Sequence, residues 1–283
     1  AYYLQLMGHQ ATVFEMLPKL GGMLRYGIPN YRLPKERLDD DIEAILATGV
    51  EVKYGMRIGK DMTIQSLREE YDAVLITIGA STDKKLGLEN ENAEGVMSAV
   101  QFLRAVGKNE LPDLTGQDVA IVGGGNVSMD AVRTAVRLGA KKVSCVYRRR
   151  IADMTALPAE IEGAIAEGVE VCTLKAPSRI ERDENGRVKG LWVTPQMISK
   201  IKDGRASVKP SGEPEEFIPC STLVVAIGQN IETEHFANAG VPVERGKIMA
   251  EKFGGFSDIP GVFAGGDCAT GPATVIRAIA AGK

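Results

Sequence analysis

The chain has 283 residues, a length that favours about two domains, each large enough to bury its own core. Lys and Arg number 34 against 37 Asp and Glu, for a formal net charge of −3, which argues against nucleic-acid binding. The 44% of hydrophobic and 25% of charged residues are typical of folded globular proteins. Since no apolar run approaches the length of a membrane span, the composition predicts a soluble protein without a nucleic-acid or membrane partner.

The cysteines argue against metal and disulfide chemistry. Cys145, Cys172, Cys220 and Cys268 are widely spaced, and no C-x-x-C pair occurs. This spacing disfavours a zinc site, an iron–sulphur cluster and a dithiol redox centre, and it favours a reducing cytoplasmic location. We predict no metal ligands in this chain.

The amino-terminal residues are typical of the second half of a β–α–β unit. Residues 1–7 predict a helix that Gly8 ends, and residues 11–14 predict a strand that delivers Glu15 to its carboxyl end. In such a unit, a first strand and a glycine-rich phosphate loop precede the helix. Neither is present here, so we expect that residue 1 is not the natural start. Glu15 is placed to accept hydrogen bonds from a free ribose diol, although it is also compatible with an ordinary surface carboxylate.

The rest of the first half continues the alternation of helices and strands. A glycine-rich loop at residues 20–29 precedes a helix with Leu38 and Ile42 on one face, which Gly49 ends. Strands are predicted at residues 50–54 and 73–78. Polar, Pro- and Gly-containing residues 111–116 suit a linker.

A complete β–α–β unit follows this linker. Residues 119–122 predict a strand, Gly123 to Gly125 a turn, and the apolar residues from Val127 onward a helix that Gly139 ends before the next strand at residues 143–147. The turn reads Gly-x-Gly-x-x-Ser. Glycines in this position let the backbone approach a pyrophosphate, which the helix N-terminus stabilises. The pattern therefore predicts a dinucleotide site.

The end of the second strand indicates which dinucleotide binds. An NAD site carries an acidic residue there, whereas this chain has Arg148, Arg149 and Arg150. Guanidinium groups pair well with a 2′-phosphate, so NADP is favoured over NAD. The alternative is a basic turn that only contacts water.

The carboxyl-terminal third contains further elements of the same kind. Pro158 is typical of a first helical turn, and Asn185-Gly186 predicts a hairpin. A buried strand is predicted at residues 223–227. Another strand at residues 262–264 runs into Gly265-Gly266-Asp267, where Asp267 either binds a polyol or caps a turn. With two β–α–β patterns, the sequence predicts an α/β protein of two Rossmann-like domains with doubly wound parallel sheets.

Several spaced motifs together are specific. They are Leu-Gly-Gly-Met-Leu-Arg-Tyr-Gly-Ile-Pro at 20–29, Tyr-Arg-Leu-Pro at 31–34, Val-Gly-Gly-Gly-Asn-Val-Ser-Met-Asp at 122–130, Tyr-Arg-Arg at 147–149, Ala-Ile-Gly-Gln at 226–229 and Ala-Gly-Gly-Asp at 264–267. In this order, and over essentially the whole chain, they resemble the small (β) subunit of NADPH-dependent glutamate synthase. The same module occurs in dihydropyrimidine dehydrogenase and in electron-bifurcating ferredoxin:NADP oxidoreductases.

The resemblance implies an FAD-binding domain, at residues 1–110 and 226–283, that is interrupted by an inserted NADPH-binding domain at residues 111–225. The FAD contacts that it implies are Glu15, Met23, Arg32, Ile58, Gly266 and Asp267. The NADPH contacts that it implies are Gly124, Gly125, Asn126 and Val127 at the pyrophosphate, and Arg148 and Arg149 at the 2′-phosphate. Where the domains meet, it implies Ala226, Ile227 and Gly228.

The implied reaction is hydride transfer from NADPH to FAD, which depends on stacking and distance rather than on an acid or base, so we predict no catalytic side chain. By the same resemblance, iron–sulphur clusters are expected only in a region that would precede residue 1. The implied partner is a large amidotransferase or synthase subunit, or another electron acceptor. The alternative is a nucleotide-binding fragment that binds NADPH but has neither flavin nor turnover. A thioredoxin-reductase-type enzyme would need a C-x-x-C pair, which this sequence does not contain.

Overall fold

The computed structural model describes residues 1–251, 254–256 and 258–283. Its helices and strands, in chain order, are α1 (Tyr2–Leu6), β1 (Thr12–Glu15), α2 (Gly22–Tyr26), α3 (Lys35–Leu46), β2 (Glu51–Tyr54), α4 (Ile64–Glu70), β3 (Val74–Ile76), β4 (Thr82–Asp83), β5 (Val96–Ser98), α5 (Ala99–Gly107), β6 (Asp118–Val122), α6 (Asn126–Arg137), β7 (Lys142–Tyr147), a 3-10 turn (Ile151–Asp153), α7 (Pro158–Ala166), β8 (Glu170–Thr173), β9 (Lys175–Arg182), β10 (Val188–Lys202), β11 (Arg205–Pro210), β12 (Glu216–Pro219), β13 (Thr222–Val225), β14 (Gln229–Asn230), α8 (Glu234–Asn238), β15 (Val243–Glu244), β16 (Lys247–Ile248), β17 (Val262–Ala264), α9 (Asp267–Thr270) and α10 (Val275–Gly282). None of the helices in the described ranges is both long and apolar enough to cross a lipid bilayer.

The chain forms two compact units. Unit 1 contains residues 1–25, 33–82 and 229–283, and unit 2 contains residues 26–32 and 83–228. These bounds differ from the predicted ones, because residues 26–32, 83–110 and 226–228 lie in unit 2 rather than with the first domain. Whether each unit binds the cofactor assigned to it from the sequence stays a prediction.

Unit 2 is built on a five-stranded parallel sheet in the order β5-β13-β6-β7-β8. Helices α5, α6 and α7 cover one face of this sheet, where Phe102, Met129 and Ala164 belong to one buried cluster with Ile121. On the other face, Ala120 packs against buried side chains of the antiparallel strands β9 and β10. The predicted α/β class with parallel sheets is confirmed, and this second layer is a sheet rather than a row of helices.

The first elements of unit 2 explain the shifted boundary. Strand β5 pairs in parallel with β13, so it belongs to the same sheet as the glycine-rich turn. Helix α5 begins directly after it with a capping box, in which the Ser98 hydroxyl accepts from the Gln101 amide at 3.0 Å and the Gln101 side chain accepts from the Ser98 amide at 3.2 Å. Near the beginning of the segment 83–228, the amide of Lys84 donates to the carbonyl of Gly228, at its end, at 3.4 Å. The segment therefore enters and leaves unit 2 at neighbouring points.

Unit 1 contains two parallel strand pairs, β1 with β2 and β3 with β17. Its core includes Leu67 of α4, Ile76 of β3, Phe236 of α8 and Val262 of β17. The predicted strands that end at Glu15 and at Ala264 are thus both present, with Glu15 as the last residue of β1 and Asp267 as the first residue of α9 shortly after β17.

Candidate functional site

The glycine turn of unit 2 lies at the carboxyl end of β6, between β13 and β7 in the sheet. The strand order changes direction here, and ligands of open parallel sheets bind at such a point. A Cβ atom on Gly123 would lie 2.3 Å from the carbonyl oxygen of Ala226, and one on Gly124 would lie 2.5 Å from the ring of Tyr147. Both positions therefore require glycine, because the turn is packed between two neighbouring strand ends.

Helix α6 presents its N-terminus beside this turn. The amides of Asn126 and Val127 have no hydrogen-bond acceptor among the described residues, and they belong to the first helical turn. Gly125 precedes them. A Cβ atom added to Gly125 would have the Thr155 hydroxyl as its nearest neighbour, at 3.4 Å, so this side of the turn is less tightly packed than Gly123 and Gly124. Free amides at the positive end of a helix dipole are suited to bind a phosphate group.

The loop of residues 154–157 closes one side of the turn. Thr155 and Ala156 donate their amides to the carbonyl of Gly124 at 2.9 and 3.1 Å, and Leu157 donates its amide to the Asn126 side chain at 3.0 Å. Asn126 therefore holds this loop with its amide oxygen. From the resemblance, Thr155 stands where some relatives have a further arginine for the 2′-phosphate, but no local pattern in the sequence shows that this loop returns to the glycines.

Ser128, at the third motif position, is fully buried. Its hydroxyl donates to the carbonyl of Ala226 at 3.3 Å and ties α6 to the residue after β13. Of the three residues predicted to lie where the domains meet, Ala226 is buried against the glycine turn. Ile227 is 40% exposed, and Gly228 has a φ of +128° beside the Lys84 side chain. All three lie in unit 2.

The three adjacent arginines have different surroundings. Arg148 is exposed, and its side chain makes no hydrogen bond or ion pair with the described residues. Arg149 donates Nε–H to the carbonyl of Ala206 at 2.8 Å, which leaves its terminal amino groups for a ligand. Arg150 is paired with Asp153 through two of its guanidinium nitrogens, at 2.8 and 3.0 Å. Arg148 and Arg149 are therefore the ones available to a phosphate.

Arg32 lies in unit 2 rather than beside Glu15 in unit 1. It pairs with the buried Asp130 of α6 at 2.8 Å and with Glu160 of α7 at 3.4 Å. Burial raises the pKa of Asp130 even though the bond from Arg32 lowers it. Arg32 therefore neutralises a buried carboxylate, and the predicted place of this residue along the flavin stays a prediction.

Unit 1 holds the other residues predicted for FAD. The Glu15 carboxylate, half-buried at the end of β1, accepts from the Leu17 amide at 2.8 Å, and burial raises its pKa. Backbone hydrogen bonds from Leu17 and Met16 act against this rise in pKa and hold the carboxylate at the strand end, where it can also accept from a ribose hydroxyl. Met23 lies in the short helix α2, and Ile58 packs against the core of unit 1 beside Met62.

A cleft lies at the carboxyl ends of β3 and β17. Its lining is small or apolar and includes Leu75, Thr77, Gly79, Gly265, Gly266, Asp267 and Ala278. The Asp267 carboxylate accepts from the Ala273 amide at 3.2 Å, so it does cap a turn, and burial raises its pKa. Because only one oxygen is used, Asp267 keeps an acceptor for a polyol. Small residues and an acceptor at strand ends are compatible with a ribityl chain.

Comparison with known proteins shows the family of this chain. The family model of the pyridine nucleotide-disulphide oxidoreductases matches residues 1–282. The chain belongs to this family. Within the pyridine nucleotide-disulphide oxidoreductases, it is 41% identical over 287 residues to the NADP(+)-dependent formate dehydrogenase subunit beta of Moorella thermoacetica, covering 100% of this chain and 40% of that protein. It is 35% identical over 292 residues to the glutamate synthase (NADPH) small chain of Escherichia coli K12, covering 98% of this chain and 62% of that protein.

The fold comparison agrees with this family. The structure of Mycobacterium tuberculosis FprA in complex with NADPH matches with a TM-score of 0.78 at 20% identity, over 96% of this chain and 75% of that one. At this identity the match establishes the fold alone. The resemblance to the glutamate synthase small subunit that the sequence motifs predicted is confirmed, while this chain spans about half the length of the two curated relatives.

Proposed function

We propose that this chain transfers hydride equivalents from NADPH to FAD and serves as the electron-input part of a larger oxidoreductase complex. The observation that carries the proposal is the glycine turn of unit 2, where free helix amides stand beside two available arginines. When bound, NADPH supplies a hydride and FAD accepts its electron pair. The chain's own residues bind and orient the two groups, and we assign no side chain as acid or base.

The residues of unit 2 fit NADPH. The pyrophosphate would lie against the backbone of Gly124 and Gly125, and the amides of Asn126 and Val127 would donate to it. Arg148 and the terminal amino groups of Arg149 would hold the 2′-phosphate by charge-assisted hydrogen bonds. An NAD site would instead place a carboxylate at this strand end.

The residues of unit 1 fit parts of FAD. Glu15 would accept from the hydroxyls of the adenosine ribose, and Gly266 and Asp267 would meet the ribityl and pyrophosphate groups. The backbone of Ile58 would contact the adenine end, and Met23 would line the path of the flavin.

The acceptor of the electrons is proposed to be a second polypeptide. The relatives above are named as a subunit beta and a small chain, which supports assembly with a partner subunit. That partner would be a large amidotransferase or synthase subunit, or another electron acceptor. As the resemblance implies, we assign iron–sulphur clusters to polypeptide outside these residues. We also propose a cytoplasmic location, because all four cysteines are free thiols.

The test is the visible absorption spectrum of the purified chain, followed by titration with NADPH and NADH. Flavin absorption that bleaches with NADPH is expected. Replacing Arg148 and Arg149 together by Gln should weaken NADPH binding by about 2–4 kcal/mol and leave NADH nearly unchanged.

The control is Arg182→Gln, which removes one positive charge from an exposed position of unit 2 and is compared with the single variants Arg148→Gln and Arg149→Gln. Equal losses for NADPH and NADH would show that the arginines do not recognise the 2′-phosphate. A colourless protein that still binds NADPH would instead support the alternative of a nucleotide-binding fragment.

A further inference from the structure

Asp153 occupies a buried position behind the arginines. Its side chain is 0% exposed, and it accepts four hydrogen bonds. Three come from Arg150, through the amide at 3.2 Å, Nε at 2.8 Å and Nη2 at 3.0 Å, and the fourth comes from the amide of Ala206 at 3.0 Å. A carboxylate with this many charged and backbone donors is held in one orientation.

Ala206 connects Asp153 to Arg149. It lies on β11, in the hairpin with β10, and it is 1% exposed. While its amide donates to Asp153, its carbonyl accepts the Nε–H of Arg149 at 2.8 Å. One peptide segment of the hairpin therefore joins the buried carboxylate to the arginine that faces the ligand site.

Asp153 is also connected to the glycine turn, through Tyr147. The carbonyl of Asp153 accepts the Tyr147 hydroxyl at 2.8 Å, and the ring of Tyr147 lies against Gly124. Asp153 thus contacts three parts of the site. These are Tyr147 at the end of β7, Arg150 among the arginines, and Ala206 in the hairpin.

We propose that Asp153 is a positioning residue that sets the affinity for a 2′-phosphorylated adenosine, because it holds the hairpin carbonyl that orients Arg149. It would touch no ligand itself. This inference rests on the proposed function and deepens it, since it concerns how the NADPH site distinguishes a 2′-phosphate from a hydroxyl. It also assigns Arg150 the role of counter-ion to Asp153 rather than that of a third phosphate ligand.

Positioning and simple electrostatics predict opposite signs for one substitution. Asp153→Asn removes a negative charge near the arginines, so a purely Coulombic effect would tighten the binding of a phosphate. If Asp153 acts by orientation, the same variant releases the hairpin and binding becomes weaker. We expect about tenfold weaker binding, since one charge-assisted hydrogen bond to the phosphate is misaligned.

The probes are adenosine 2′,5′-bisphosphate and adenosine 5′-monophosphate, titrated calorimetrically into the full chain without turnover. For Asp153→Asn, the bisphosphate should lose about tenfold in affinity while the monophosphate changes less than about twofold. Asp183→Asn is the matched control, because Asp183 also accepts two backbone amides in unit 2, at the tip between β9 and β10. The control should leave both affinities unchanged.

A second variant covers the case in which Asp153→Asn does not fold. Asp153→Asn combined with Arg150→Gln removes both partners of the ion pair, a change that buried pairs tolerate better than the loss of one partner. The net charge of the site is then preserved, so a selective loss for the bisphosphate again indicates positioning. Unchanged or tighter bisphosphate binding in either folded variant would overturn the inference.

The two proposals fail in different ways. If the unmodified chain binds the bisphosphate and the monophosphate equally well, the proposed NADPH site itself is wrong. If it prefers the bisphosphate and the Asp153 variants keep that preference, only the role of Asp153 is wrong.

Discussion

Substituting Gly124 tests the packing of the nucleotide turn directly. The Cβ of Gly124→Ala would lie 2.5 Å from Cε2 and 2.6 Å from Cδ2 of Tyr147, whose hydroxyl is bonded to the Asp153 carbonyl. The ring must move, and overpacking of this kind costs about 1–3 kcal/mol. Losing the hydroxyl bond adds about 0.5–1.5 kcal/mol, and the lower entropy of an unfolded alanine returns about 0.4–1 kcal/mol.

The expected net loss is therefore about 2 kcal/mol in the free energy of unfolding, measured by urea denaturation. Gly163→Ala is the control, since an added Cβ there meets only the Arg133 guanidinium at 3.4 Å, and it should stabilise slightly. In a Tyr147→Val background the ring is gone, so Gly124→Ala should cost almost nothing. An equal cost in both backgrounds would refute the reasoning, because a double-mutant cycle would then show no coupling between the two sites.

Three further predictions concern charge and exposure. Hydrogen bonds from Arg137 and Arg133 lower the pKa of Glu167 to about 2, so the stability that the ionised Glu167 contributes is present above pH 4.5 and is lost as the pH falls toward 2. Glu167→Gln should remove about 1–2 kcal/mol of this acid dependence, measured by denaturation at several pH values. All four cysteines lie within the described residues, where Cys172 is half-buried and the other three are buried, so Ellman's reagent should label one thiol in the native chain and four after unfolding. Arg32→Leu should lower the free energy of unfolding of unit 2 by about 3–5 kcal/mol, because it leaves the Asp130 carboxylate buried without its partner. The double variant Arg32→Leu/Asp130→Leu should lose less stability, and chemical denaturation measures both.

Each of these has a clear contrary result. An unchanged acid transition in Glu167→Gln would mean that its ion pairs are fully screened by solvent. A thiol that is still labelled in native Cys172→Ser would place that reactivity elsewhere. A double variant at Arg32 and Asp130 that is less stable than Arg32→Leu alone would show that the carboxylate does not depend on this arginine.

The local features of the site were predictable from the sequence, and their partners were not. The strand, glycine turn and helix around Gly123 follow from apolar periodicity and turn chemistry, as does the delivery of Glu15 to a strand end. Three consecutive arginines, however, look alike in a sequence. Only the contacts with Asp153 and with Ala206, the latter more than fifty residues away, pair Arg150 within the chain and leave the terminal amino groups of Arg149 available.

The boundary of unit 2 was missed for a related reason. Strand β5 has only three residues, too few to show a periodic pattern, and its assignment depends on pairing with β13 far along the chain. Arg32 likewise has no local signal for its place in unit 2, because its partner Asp130 lies on α6.

The hydrogen bond between Lys84 and Gly228 has a consequence for how such a chain is assembled. The two ends of residues 84–228 therefore lie next to each other within unit 2. The entropic penalty of closing this long loop is then met by the folding of unit 2 itself. A nucleotide-binding segment with adjoining ends can therefore be exchanged during evolution with little disturbance of the polypeptide that receives it.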